Sequence, residues 1–259
     1  MLILPIRTPL LQPGDDLAAA IAASCEQKPG DIVAVSAKAA ATCEGRLLPL
    51  ASFGKGDEAF QKAVLAETER MHGTVLCNRA GVILTELRPC GLGRGTLLVA
   101  NAGLDRSNAP EGFAVGWPED PVASVRALRK ALGTSIILTD SCCHVRRLGV
   151  TAMALAVSGL MPFRNQEGER DLFGRTLKVT QEAVADQLAT AANLLMGNAA
   201  QSAPAALIRD HGIVMADFEG WVDGIDPKED MFPICTPPCG SAPSVYPMHS
   251  KQDPSPRPS

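Results

Sequence analysis

The sequence predicts an α+β protein, built of mixed α/β layers, and three observations lead there. Short apolar runs of strand length recur at residues 31–36, 97–100, 136–139, 150–158 and 205–208. Between them lie amphipathic stretches whose apolar residues return at helical spacing. The two kinds interleave without strict alternation, so mixed layers fit better than a doubly wound parallel sheet.

Pro13-Gly14-Asp15-Asp16 turns the chain into a helix over 17–25, with Leu17 and Ile21 on one face, and Lys28-Pro29-Gly30 ends it. A second helix over 57–71 turns Phe60, Val64 and Met71 inward and its charges outward. Residues 74–77 and 82–87 read as a hairpin or two edge strands. The glycines of Gly91, Gly93 and Gly95 lack the spacing and the following helix of a dinucleotide fingerprint. Pro121 opens a helix through Leu132 with Val122, Val125 and Leu128 on its core stripe. The longest predicted helix covers 179–195, with Val184, Leu188, Ala191 and Leu195 in phase and Gly197 just past its end. The strand at 205–208 closes the expected ordered part. The predicted organisation is one domain over 1–217 and a Pro-rich tail over 218–259, too poor in branched aliphatics to order itself.

Composition excludes several functions. A net charge of −4, with no basic run beyond Arg146-Arg147, argues against nucleic-acid binding. The first residues lack the pattern of a signal peptide, and no apolar stretch reaches the length that spans a bilayer. A cytoplasmic location with reduced thiols is expected. The eight cysteines contain no pair of Cys-x-x-Cys knuckles. Cys235 and Cys239 in the tail are spaced wrongly for a redox pair.

The chemistry concentrates in two segments. Asn101-Ala102-Gly103-Leu104-Asp105-Arg106-Ser107-Asn108 follows the apolar run 97–100, and Thr139-Asp140-Ser141 follows Ile136 to Leu138. Each puts an aspartate where a strand runs out, a common place for ligand chemistry and also for ordinary turn residues. Two such carboxylates could hold one or two divalent cations, while Ser107, Asn108 and Ser141 could bond phosphate oxygens. Cys142-Cys143-His144 beside Asp140 leaves two other readings open: a thiolate and imidazole zinc site, or a cysteine nucleophile with His144 as base. Successive side chains on an extended chain point to opposite faces, which disfavours both.

These motifs, in order, resemble the coenzyme F420-0:L-glutamate ligase family, the γ-glutamyl ligases that extend the deazaflavin coenzyme. The resemblance covers most of residues 5–210. It runs from Pro13-Gly14-Asp15-Asp16 and Glu44-Gly45-Arg46 to Asn101 through Asn108 and Pro118-Glu119-Asp120-Pro121. It continues with Thr139-Asp140-Ser141, Asp171-Leu172-Phe173-Gly174-Arg175, Val184-Ala185-Asp186 and Met196-Gly197. It implies the fold of that family, forming an intertwined homodimer. It also implies a GTP-dependent ligase that uses Mg²⁺ or Mn²⁺ to join L-glutamate to the carboxylate of F420-0 or a related acid through an acyl phosphate. By the same resemblance the metal falls to Asp105, Asp140 and Ser141. Nucleotide contacts fall to Thr8, Pro9, Leu10, Leu11 and Asn108, and to the segment Met196, Gly197, Asn198, Ala199, Ala200, Gln201, Ser202 and Ala203. Lys38 is read as a phosphate contact or as a surface lysine beside a strand end, and Glu44 with Arg46 as a structural turn pair.

Two departures surround this expected site. Thr42 stands where the family carries a phosphate-contacting lysine. Cys142-Cys143-His144-Val145-Arg146-Arg147 replaces the family's Phe-Gly-Arg-Pro-Trp-Arg stretch, keeping only Arg147 in register. A non-catalytic or regulatory relative, and a ligase for a different pterin- or flavin-like acid, therefore stand as alternatives. No catalytic side chain is assigned from sequence.

Overall fold

The computed structural model describes residues 1–79 and 81–232; the end of the Pro-rich tail, with Cys235 and Cys239, lies outside the described residues. In chain order the first elements are β1 (Leu2–Ile6), α1 (Leu17–Ser24), β2 (Ile32–Ser36), α2 (Ala37–Cys43), β3 (Leu47–Pro49) and α3 (Gly56–Arg70). Next come β4 (Thr74–Arg79), β5 (Val82–Leu87), β6 (Leu97–Ala100), β7 (Phe113–Val115), α4 (Pro121–Leu132) and β8 (Ser135–Cys143). The remainder is β9 (Val150–Leu160), β10 (Arg164–Asn165), β11 (Gln181–Glu182), α5 (Val184–Met196), β12 (Ala205–Arg209) and β13 (Met215–Trp221). The mixed α/β layering expected from sequence is what the chain forms.

The central sheet has six strands in the order β1-β12-β2-β8-β9-β13. Only β2 and β8 run parallel; every other neighbour pair is antiparallel. Both faces of its middle strands are covered, which is why β2 reads as an unbroken apolar run rather than an alternating one. Val33 and Val35 turn into a core shared with α1, α2, α3 and α4, whereas Ile32 and Ala34 turn into a second core under α5. A three-stranded sheet β4-β5-β6 and the pair β3-β7 flank the first core.

Local sequence sets the helix ends. The Asp16 carboxylate accepts from Ala19 N at 2.9 Å to cap α1, and Asp120 accepts from Val122 and Ala123 N at 3.0 Å to cap α4, whose first residue is Pro121. Gly133 closes α4 in a left-handed conformation, φ 68°.

The sheet has one irregularity between β8 and β9. Leu138 pairs with Ala156 but Thr139 pairs with Ala154, leaving Leu155 bulged out of β9. Leu155 and Ala156 consequently face the same core, and the Leu155 carbonyl is free to accept from Val222 N at 2.9 Å.

Several expectations need revision. The long helix starts at Val184, not near 179: Gln181 and Glu182 pair with Asn165 and Arg164, and Val179 is 90% exposed. The in-phase residues begin only at Val184, and the chain before it belongs to a projecting arm. The strand at 136–139 runs on to Cys143 because β9 pairs with it throughout. The sequence reading ended order at 205–208 and began the tail at 218, yet β13 crosses 217/218 and buries Trp221 against the first core. Its aromatic and acidic alternation looked unlike a strand because it is an edge, paired on β9 alone. Strand β1, the short helix α2 and the pair β3-β7 had no sequence signal strong enough to be expected.

Candidate active site

A cavity of about 390 Å³ opens at the carboxyl ends of β2 and β8, the one parallel pair in the sheet. Ligands collect at such ends because neighbouring parallel strands deliver their following loops to the same edge. Here β2 leads into α2, contributing Ser36, Lys38, Ala39 and Thr42, and β8 contributes Thr139, Asp140 and Ser141. Because β1 and β12 run in opposite directions, the end of one and the start of the other reach the same edge. They bring Thr8 to Leu11 and Ala203, Pro204. Thr8 N donates to Ser202 O at 3.1 Å and Ser36 N to Pro204 O at 2.8 Å, tying these segments together.

Asp140 is buried, and its carboxylate accepts from three donors. Its Oδ1 accepts from Lys38 Nζ, in an ion pair, and from the Ser141 backbone N–H at 2.9 Å. Its Oδ2 accepts from the Trp117 indole N–H at 2.8 Å. Trp117 is 1% exposed and lies against Trp221, ring centroids 6.2 Å apart. Its place depends on a glycine: a Cβ on Gly103, where φ is +75°, would meet the indole at 2.7 Å. Its backbone carbonyl accepts from Arg46 Nη1 at 2.8 Å. Arg46 in turn forks onto Glu67 at 2.8 and 2.9 Å, joined there by Arg70. Arg46 also reaches Glu119 at 2.9 Å, and that hydrogen bond holds the Glu119 carboxyl below its usual range. Arg46 is therefore structural, as expected, but its partners are Glu67 and Glu119. Glu44 instead accepts from Ser124 Oγ at 2.6 Å, and burial raises its pKa.

Asp105 reaches the cavity from the other side, on the loop after β6. Asn101, Ala102 and Gly103 all take positive φ, at 53°, 50° and 75°, which reverses the chain within three residues. Paired backbone bonds between Asp105 and Val115, both 2.9 Å, then anchor the loop. The Asp105 carboxylate accepts from Ser107 N at 2.9 Å and from Ser107 Oγ. Asn108, itself left-handed at φ 56°, also lines the cavity.

The expected residues thus converge, with one exception. Thr8, Pro9, Leu10, Leu11, Lys38, Asp105, Asn108, Asp140, Ser141 and the segment from Met196 to Ala203 line the cavity, apart from Gln201. Gln201 turns back into its own loop, where its Oε1 accepts from Ala199 N at 2.8 Å and its amide fills the space beside Gly197. Sequence reasoning missed Trp117, Ser36 and Asn193, and no signal in the chain singled them out.

The alternatives at Cys142 and His144 find no support in the geometry. Cys142 turns toward Thr151 at 3.6 Å while Cys143 is exposed, and His144 Nε2 bonds the same Thr151 hydroxyl at 2.6 Å. Burial raises the Cys142 pKa, keeping it a thiol rather than a thiolate. Among the described residues no three of His, Cys, Asp and Glu come together as a metal cage.

Two carboxylates and a hydroxyl of a cavity wall suit a hard cation that draws its remaining ligands from substrate oxygens and water, as Mg²⁺ and Mn²⁺ do. They do not suit a protein-only site. The donor set therefore fits a metal arriving with a phosphorylated ligand.

Fold and cavity together define an enzyme-like α/β protein with an acidic cleft at the carboxyl ends of parallel strands. A sequence profile of the F420-0:Gamma-glutamyl ligase family matches residues 5–210. The chain is similar to the coenzyme F420:L-glutamate ligase of Methanopyrus kandleri, 36% identical over 81% of this chain and 86% of that protein. It is similar also to the proteins of the same name from Methanosarcina barkeri, 35% identical over 78% and 82%, and Methanothermobacter thermautotrophicus, 32% identical over 78% and 86%. The chain belongs to the F420-0:γ-glutamyl ligase family, and so to the ligases that form amide bonds. No helix among the described residues is long and apolar enough to cross a membrane.

Proposed function

We propose that this protein joins L-glutamate through its amine to a carboxylate of coenzyme F420-0 or a closely related acid, with GTP and a divalent metal, Mg²⁺ or Mn²⁺. The observation that carries the reading is the convergence of Asp105, on the loop after β6, and Asp140, on strand β8, on one cavity that also holds Lys38, Asn108 and the loop after α5.

Charge accounts for the metal dependence. The cavity presents two carboxylates and one ammonium, whereas a nucleoside triphosphate brings about four negative charges. Without added cations the two repel. A metal shared by Asp105, Asp140 and Ser141 with the phosphates would neutralise that charge and align the transfer. Lys38 supplies the further positive charge that the family draws from the position occupied here by Thr42. Asn108 and the loop from Met196 to Ala203 offer amide and backbone groups for the rest of the nucleotide.

The chemistry follows from the leaving group. A carboxylate does not condense with an amine in water, because oxide is expelled too poorly. Transfer of the γ-phosphoryl group to the acid makes an acyl phosphate and releases GDP. The glutamate nitrogen then forms its bond to the acyl carbon as the C–O bond breaks, inorganic phosphate leaves, and the nitrogen gives up a proton. The protein's part is to bind, align and exclude water. The altered stretch 142–147 begins beside Ser141 and ends near Val150, both on the cavity wall. The acid acceptor is accordingly where this chain departs from its relatives.

A homodimer completes the reading. The arm between β9 and α5 exposes Leu172, Phe173 and Val179 almost fully, more apolar surface than a projecting arm keeps in water. A second copy is the partner that covers it.

Calorimetry tests the reading directly. GTP binds in the presence of Mn²⁺ and not in its absence, and Asp140→Ala abolishes the heat; absence of any GTP affinity in the wild type with Mn²⁺ refutes the proposal.

A further inference from the structure

We infer that Lys38 is a placeholder cation: its ammonium occupies the coordination position on Asp140 Oδ1 until metal and nucleotide arrive together, and then moves to the phosphates. The inference rests on the proposed use of GTP and metal, and it assigns that site an order of loading.

Asp140 Oδ1 already accepts two hydrogen bonds, from Lys38 Nζ and from Ser141 N. A carboxylate oxygen has two lone pairs, so a cation that binds at Oδ1 competes with one of these two donors. The Ser141 N–H is fixed by the strand, and the Trp117 indole on Oδ2 is fixed by burial. Lys38 is the mobile member, a point charge on a flexible four-carbon stem rooted in α2, with its side chain 20% exposed where that of Asp140 is 7%.

Thr42 makes the exchange consequential. In this chain its hydroxyl donates to the Lys38 carbonyl at 2.8 Å, one turn back on the same helix, and brings no charge to the cavity. Among the described residues that line the cavity, Lys38 is the only cationic side chain. One ammonium therefore has two possible partners, the Asp140 carboxylate with which it is paired and the phosphate that the proposed function would bring. A free divalent cation competes with Lys38 and binds poorly. A metal–nucleotide complex offers the displaced ammonium a new partner and binds well.

Lys38→Met keeps the stem and removes the charge, and Lys38→Gln serves as a second variant; both are read by Mn²⁺ electron paramagnetic resonance titration and by thermal melting. Without nucleotide, each variant binds Mn²⁺ about tenfold more tightly than wild type, as expected when a competing charge is removed from a largely desolvated carboxylate. With Mn²⁺ present, each binds GTP about tenfold more weakly, having lost a charge-assisted phosphate contact. Mn²⁺ alone also raises the melting temperature of the variants more than that of wild type, which confirms that the variants fold, and Lys38→Arg restores the wild-type suppression. The inference is overturned if both variants bind nucleotide-free Mn²⁺ no better than wild type while wild type still takes up GTP with Mn²⁺; the proposed function then stands alone. If wild type takes up no GTP with Mn²⁺, both fall together.

Discussion

Two buried aspartates close opposite ends of the central sheet, and each is paired with a cation. Asp31 precedes β2, and its carboxylate accepts from Arg209 Nε at 2.8 Å, Arg209 Nη2 at 2.6 Å and Lys28 N at 2.7 Å. Asp140 lies at the far end of β8 with Lys38, Trp117 and Ser141 N. The first pair is a planar fork locked between the start of β2 and the end of β12. The second is a single point contact facing a cavity. The carboxylates are alike in chemistry; what separates a fastening from a working site is whether the partner can leave.

Four experiments probe that contrast, in order of expected effect. Asp140→Asn keeps the shape and removes the charge that a metal would need, so GTP-dependent turnover falls on the order of 10²–10³-fold while the melting temperature in the absence of ligand changes little by comparison. A turnover within a few-fold of wild type would make Asp140 a second fastening. Arg209→Met, at the other end, destabilises the fold by about 3 kcal/mol in urea denaturation, because it strands the Asp31 charge, and leaves turnover per folded molecule intact. Loss of activity without loss of stability would reverse the assignment of the two ends.

Trp117→Phe preserves the ring in its slot against Gly103 but removes the donor to Asp140 Oδ2. Metal affinity in the presence of nucleotide weakens about tenfold, as for other groups that orient a metal ligand. An unchanged affinity would show that the indole only fills space. The smallest effect is in acid. The Arg209 hydrogen bonds hold the Asp31 carboxyl below the ordinary carboxylate range. The stability this contributes is present above the unfolded pKa, about 4, and drains away as pH falls through the lower folded value. Asp31→Asn removes that component, so denaturation curves between neutral pH and pH 3 shift less in the variant than in wild type.

Much of this was legible in the chain because strands and helices write their periods into it. The core strands at β2, β8, β9 and β12 and the helices α1, α3 and α4 stood out as apolar runs and stripes. Asp105 and Asp140 were readable because each follows such a run. Lys38 was readable only as one of two possibilities, since sequence does not say which way a lysine at a strand end points. Trp117 was not legible: its role depends on the turn at Asn101, Ala102 and Gly103 bringing a distant loop under Asp140. Gln201 was misplaced because the loop after α5 folds on itself, and a glutamine that staples its own turn looks the same in sequence as one that meets a ligand. Strand β13 was overlooked because an edge strand carries polar residues on the side facing water.

Lys38 and Asp140 stand 102 residues apart and Trp117 a further loop away, 23 residues from Asp140. They meet only after the parallel pairing of β2 with β8, a crossover closure that spans about two-fifths of the chain. A nascent or half-formed polypeptide therefore lacks the assembled pocket. Once closure is complete, whatever loads there holds together both ends of that crossover, so occupancy and integrity of the whole molecule rise and fall as one.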